Sequence, residues 1–190
     1  MKLRDATKRR KIISMYRKDL SAIDCSTARA LDQVGEWWSL LIVRECTLGT
    51  KRFDEFQRRL DIARNVLTNR LNHLCETGIM DKVPVGDSGR RFEYRLTPKG
   101  EALYPVLVAL MQWGDKWASP NGQGGPIQLV ENSTGKPVTP VGPRAEGGPV
   151  LTFRDVRLQP APWASDYTRG LIDKRNQAIL GEPDTEEEKE

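Results

Sequence analysis

At 190 residues the chain is long enough for one well-buried domain with an extension, but short for two domains with separate cores. No apolar run approaches the roughly 18 residues of a membrane span and no apolar leader opens the chain, so a cytoplasmic protein without membrane contact is expected. Three scattered cysteines, Cys25, Cys46 and Cys75, with no CxxC pair, exclude a disulfide scaffold and a zinc ribbon and read as thiols. The net charge of +4 hides an asymmetry: residues 1–18 carry eight Lys or Arg against one Asp, and residues 182–190 carry six acids against one Lys. A basic arm suits a polyanion, but short charged termini are also often only solvated, and charge alone does not choose between the two.

Residues 1–24 read as a basic arm in which Ile12, Ile13, Tyr16 and Leu20 recur at helical spacing. A helix is expected over Ser26–Val34, stopped by Gly35 in a left-handed cap. Trp37, Leu40, Leu41, Ile42 and Val43 then make a nearly all-apolar helix ending near Leu48 and Gly49, which has to be central to the core. Phe53, Phe56 and Leu60 predict a short amphipathic helix, and after a break at Asp61 and Ile62 another runs from about Arg64 to Thr77. At 100° per residue, Leu67, Leu71 and Leu74 share one side of it and Arg64, Asn65, Thr68, Asn69 and Asn72 the other. Ile62 and Leu67 are spaced as a hydrophobic staple. From Met80 the period becomes two, with Val83 and Val85 before the turn at 86–89 and Phe92, Tyr94 and Leu96 after it, which predicts a β-hairpin. Thr97 and Pro98 cap and open a long helix bearing Leu103, Leu107, Leu110, Trp113 and Trp117. Its greasy surface exceeds what one small domain covers, so a partner chain is expected there.

Beyond Ala118 composition shifts to Pro, Gly and short apolar runs. A hairpin over 127–141, a strand over 150–158 and a helix over 165–180 are expected, with 182–190 disordered. The division is therefore an arm (1–24), a DNA-binding and dimerisation domain (25–118), an extension (119–181) and an acidic tail (182–190). Apolar positions in the extension predict that it is ordered against the dimer, and that deleting it lowers stability more than DNA affinity. The fold class is mainly α with a small β-hairpin wing: a dimeric winged helix-turn-helix with a C-terminal β/α extension.

Helix, short turn, polar-faced helix and hairpin are the parts of a winged helix-turn-helix, whose second helix fits the major groove of double-stranded DNA. Arg64 has the fork for guanine, and Asn65 or Asn69 the amide pair for adenine. On the wing, Arg90 and Arg91 suit phosphates or the minor groove, and Lys8, Arg9, Arg10 and Lys11 suit an arm on DNA. Arg70 reads as a structural ion pair or phosphate contact. His73, the single histidine, has no clustered acid or cysteine around it and reads as a surface residue, such as a phosphate contact. No catalytic triad, metal cluster or phosphate loop is visible, so neither an enzyme, a metal nor a cofactor is expected. A winged-helix module that binds protein or RNA without reading an operator is the competing reading.

Several stretches in register, Gly35–Ile42, Arg52–Phe56, Ile62–Leu71 and Phe92–Gly100, with Cys25 at a helix start, make residues 25–117 resemble the HxlR family of regulators. The resemblance implies a homodimer joined through its terminal helices, here Ile12, Ile13 and Tyr16 with Leu103, Leu107, Leu110, Trp113 and Trp117, on an inverted-repeat operator, usually as a repressor. It also suggests a redox-sensing role for Cys25, against which stands an ordinary semi-buried thiol. A small-molecule effector of unknown identity is a further partner, for which Trp37, Trp38, Trp113 and Trp117 would line a pocket if they are not simply core. Two departures stand out. Ala63 replaces the usual Ser or Thr cap, a loss worth about 1 kcal/mol, and the extension lacks the cysteine pairs of longer relatives.

Overall fold

The computed structural model describes residues 20, 23–86 and 91–181. Lys8, Arg9, Arg10, Lys11, Ile12, Ile13, Tyr16, Arg90 and the acidic tail lie outside them. The chain divides into two compact units, 1–111 and 112–190.

In the first unit α1 (Ser26–Val34) and α2 (Trp37–Thr47) precede the pair α3 (Phe53–Leu60) and α4 (Arg64–Glu76). Gly35 closes α1, but with φ −69° rather than in the expected left-handed form. It is needed for a different reason: a Cβ there would sit 2.3 Å from the Leu31 carbonyl oxygen. In α2, Ser39, Ile42, Val43 and Glu45 are buried while Trp37 is 75% exposed. The sequence reading had Trp37 in the core, yet it lies about 140° around the helix from Ile42 and faces away. Glu55 reaches back to accept from the Arg52 N–H at 3.4 Å and starts α3. Asp61, at φ 48°, ends it in a left-handed turn that Asp tolerates better than branched residues.

The three-residue turn of Asp61, Ile62 and Ala63 then launches α4. As expected, Ala63 supplies no side-chain cap. Entry is held instead by apolar burial, because Ile62 and Leu67 both sit in the core with Val34, Ile42, Val43, Phe56, Leu71 and Leu74. The hairpin pairs β1 (Met80–Val85) with β2 (Arg91–Leu96) in antiparallel register from Met80 opposite Leu96 to Val85 opposite Arg91. On its other edge β2 receives the preceding loop, the Tyr94 N–H donating to the Lys51 carbonyl at 2.8 Å. Pro84, which has no N–H, therefore stands on the outer strand, where a missing donor costs least. Tyr94 turns inward, its ring edge-on to Phe56 at 6.4 Å. These elements are those of a winged helix-turn-helix.

Thr97 joins wing to helix: its hydroxyl donates to the Gly78 carbonyl at 2.7 Å and accepts from the Gly100 N–H at 3.2 Å. The expected single long helix is in fact two, α5 (Pro98–Glu101) and α6 (Tyr104–Trp117). Pro105 explains the break, since it lacks an N–H and its ring would clash with the Glu101 carbonyl in a continuous helix. Leu103 and Leu107 pack partly on the chain's own core, whereas Tyr104, Val106 and Leu110 are 45–49% exposed.

Among its described residues the second unit has only the bridges Val130–Pro137 and Arg144–Val150 where strands were expected, and it carries the helix α7 (Asp166–Gly181). Pro137, Pro140, Pro143 and Pro149 remove the donors a ladder needs. None of its described residues is buried. Polar clasps hold it instead: Arg169 donates to the carbonyls of Ala161, Pro162 and Ala164, Arg175 to those of Phe153 and Val156, and Asn176 exchanges two hydrogen bonds with Leu158.

Among the described residues the Ser39 hydroxyl is the one fully buried side-chain polar atom without a hydrogen-bond partner. Ser39→Ala should therefore leave stability unchanged or raise it by up to about 1 kcal/mol, read from urea unfolding midpoints. A loss above that range would show that the hydroxyl has a partner.

Candidate nucleic-acid interface

The exposed face of α4 carries Arg64, Asn65, Thr68, Asn69 and Asn72, the set expected from helical projection. Among the described residues the amides of Asn65, Asn69 and Asn72 make no hydrogen bond within the chain, so both donors and acceptors are available. Thr68 differs, because its hydroxyl donates to the Arg64 carbonyl at 2.8 Å and keeps only lone pairs and a methyl for an outside group.

Behind this face, α4 is braced. Arg70 pairs with Glu36 at 3.6 Å, the structural option of its two expected roles. His73 corrects the expectation of a surface or phosphate role: its Nε2 lies 2.9 Å from the Gln33 carbonyl and ties α4 to the end of α1. Lys99 donates to the Thr77 carbonyl at 2.7 Å, a cation placed at the negative end of the helix.

Between the start of α4 and the wing lies a cleft of about 370 Å³, whose lining includes Arg52, Arg64, Lys82, Arg91, Phe53 and Phe92. The Arg64 guanidinium sits over the Phe53 ring at 5.0 Å, and the Lys82 ammonium over Phe92 at 4.5 Å. The carboxylates that also line the cleft are already engaged, Asp54 with Arg52 at 3.1 Å and Glu93 with Arg95 at 2.9 Å. Hydrogen bonding from Arg52 holds the Asp54 carboxyl below its ordinary range. Arg91, exposed at the start of β2, belongs to this cleft.

Sequence reasoning missed Arg52, Phe53 and Lys82 as parts of this surface. Lys82 is directly opposite Tyr94 in the hairpin register, and only that register together with the turn before α4 brings it near Arg64. A second cleft of about 600 Å³ on the same unit is lined in part by Cys46, Thr50, Lys51, Tyr94, Leu96 and Tyr104. No tryptophan lines either cleft.

The cysteines separate clearly. Cys25 is exposed at the N-cap of α1, where the nearby backbone N–H groups of Ala28 and then Thr27 favour the thiolate and lower the thiol pKa. Burial and the neighbouring Glu45 push Cys46 up to about 12, and burial also raises Cys75. Both are packing residues, as expected. Among the described residues no cluster of His, Cys, Asp or Glu is arranged to hold a metal, and no helix is long and apolar enough to cross a membrane.

The profile of the HxlR-like helix-turn-helix family matches residues 33–122. An uncharacterized HTH-type transcriptional regulator of Mycobacterium tuberculosis is 42% identical over 137 residues, 72% of this chain and 86% of the relative. One from Methanothermobacter thermautotrophicus is 36% identical over 98 residues, 50% of this chain and 73% of its own length. Among solved structures, PA1607, described as a transcription factor, is similar with a TM-score of 0.68 and 42% identity over 75% of this chain and 99% of that one. PA1374 of Pseudomonas aeruginosa, described likewise, follows with 0.54 and 40% over 77% and 99%. Similarity of this extent, running beyond the helix-turn-helix into the second unit, shows that the protein belongs to the HxlR-like helix-turn-helix family.

Proposed function

We propose that the protein is a sequence-specific DNA-binding transcriptional repressor that grips an inverted-repeat operator as a homodimer. The observation that carries this reading is the exposed face of α4, where, among the described residues, unpartnered amides stand beside a cleft in which Arg64, Lys82 and Arg91 are not ion-paired. Arg64, Asn65, Thr68, Asn69 and Asn72 enter the major groove, Arg91 and Arg90 flank it on the wing, and Lys8, Arg9, Arg10 and Lys11 extend the contact as an arm. The second copy covers the exposed face of α6 through Leu110, Trp113 and Trp117, with Leu103 and Leu107 beneath and Ile12, Ile13 and Tyr16 of the arm alongside. Control comes from a small effector or from oxidation of Cys25, whose exposure and lowered thiol pKa favour reactivity over the two partly buried thiols.

The test is enrichment of duplexes from a random pool, followed by affinity measurements on the enriched and a scrambled sequence. Asn65→Ala and Asn69→Ala should each lower affinity for the enriched duplex by about 1 to 3 kcal/mol and relax one base pair per half-site. Failure of the wild-type protein to enrich any sequence would favour a protein- or RNA-binding module.

A further inference from the structure

The cleft between α4 and the wing has a chemistry unlike that of the reading face. Amides dominate the face, and amides match base edges; the cleft gathers four cations beside two carboxylates that are already paired. Of its four cations, Arg52 is neutralised by Asp54. Among the described residues neither Arg64, Lys82 nor Arg91 is ion-paired, and two of these three rest on aromatic rings. A ring face holds a cation in place without cancelling its charge, so the pair of stacks aims positive charge into the cleft while leaving it free for a ligand. The two carboxylates that line it are held by Arg52 and Arg95, which lowers the repulsion an incoming anion would otherwise meet.

Resting on the DNA-binding reading above, we infer that Arg64, Lys82 and Arg91 hold a backbone phosphate of the duplex, and that Arg64, positioned by Phe53, anchors the helix rather than reading a base. The guanidinium stacked on Phe53 lines the cleft shared with the wing, whereas Asn65, Asn69 and Asn72 make no contact with that cleft. Phe53 is a positioning residue: it touches no nucleotide and acts through Arg64. Sequence selection then falls to Asn65, Asn69 and Asn72, and the phosphate in the cleft sets how deeply their helix enters the groove. A duplex backbone is the favoured source of the phosphate because Arg64, the first residue of the helix that carries the reading face, lines the cleft.

The full-length protein tests this with random-pool enrichment and with binding to one random-sequence duplex at several salt concentrations. For Arg64→Ala, affinity should fall about tenfold on every duplex, the slope of log K against log salt should shrink by about two, about one for each subunit of the proposed dimer, and the enriched sequence should match that of wild type. Phe53→Leu, which keeps apolar volume, should weaken every duplex by a smaller factor with the enriched sequence again unchanged, and Lys82→Ala should behave as Arg64→Ala does. A methylphosphonate at the contacted phosphate of each half-site should weaken the wild-type protein at least as much as Arg64→Ala does, and should cost the Arg64→Ala protein less than it costs wild type. If Arg64→Ala relaxes one base pair and leaves the salt slope intact, Arg64 is a reader and the inference fails. It fails equally if inorganic phosphate binds the free protein at millimolar concentration through Arg64 while the DNA slope is unaffected, which would make the cleft a site for a free anion. Loss of selectivity on Asn65→Ala and Asn69→Ala is read separately: were both silent, the recognition-face reading would fall while the Arg64 slope still decided the phosphate site.

Discussion

Replacing Glu45 by Gln should destabilise the protein by about 2–3 kcal/mol at neutral pH. Glu45 is 2% exposed, yet its carboxylate accepts from Arg44 and from Arg59, each at 2.5 Å, and from the Thr50 hydroxyl at 3.2 Å. Arg44 lies on α2 and Arg59 on α3, so one buried charge clasps the two helices that support the reading helix. Breaking a fully buried pair costs about 3–5 kcal/mol, but both arginines are nearly half exposed and would be rehydrated, which brings the figure down. Burial by itself would raise the carboxyl pKa; the hydrogen bonds from Arg44 and Arg59 outweigh it and the net shift is downward. The sign follows. A group whose folded pKa lies below its unfolded value, about 4.3 for Glu, contributes fully above that value and loses its contribution as pH falls through the folded pKa. The difference between wild type and Glu45→Gln, measured by urea unfolding, should therefore be widest near pH 7 and shrink in acid. Equal stability of the two proteins at pH 7 would show that the clasp is energetically idle.

Leu110→Asp should convert the proposed dimer to monomer and lower affinity for the enriched duplex by about 100-fold or more, because tethering the second recognition helix supplies an effective concentration that two free monomers lack. Leu110 is 49% exposed on α6 between Val106 at 46% and Trp113 at 62%, with Trp117 at 66% one turn further. These positions, at spacings of four, three and four, lie on one side of the helix. A charge here meets water in the isolated chain and an apolar partner in the dimer, so the variant should keep its helical content while sedimenting as a monomer. The two recognition helices of the dimer are expected about 34 Å apart on successive major grooves. A variant that stayed dimeric and bound DNA normally would move the interface elsewhere.

Oxidation bears on the same assembly more weakly. Cys25 lies outside the cleft and the reading face, so Cys25→Ser should leave the affinity of the reduced protein nearly unchanged. An oxidant that alters wild-type binding and spares the variant would establish sensing through this thiol, and identical responses would retire it.

The helical elements were legible along the chain because each is specified by local rules. Leu67, Leu71 and Leu74 recur at the period of a helix, Gly78 stops it at φ 69°, and the remaining positions are polar by subtraction. The face of α4 therefore followed from periodicity alone. Alternation likewise announced the hairpin. Where local rules were read incompletely the expectation failed: Pro105 divides the long helix, and the prolines of the extension prevent its strands.

What the linear order could not convey is which side chains from separate elements meet. Arg64 and Phe53 are eleven positions apart, and their stacking depends on the left-handed turn at Asp61. Lys82 and Phe92 come together only through the hairpin register, and His73 reaches Gln33 across forty residues. Such contacts are set by the packing of α3, α4 and the wing around Phe56 and Tyr94, a property of volume and register that no sequence period encodes. The sequence by itself thus determined the amide-rich face that suits base edges; the tertiary structure decided that Arg64 leans from that face onto Phe53, into a cleft whose charge only the assembled wing completes.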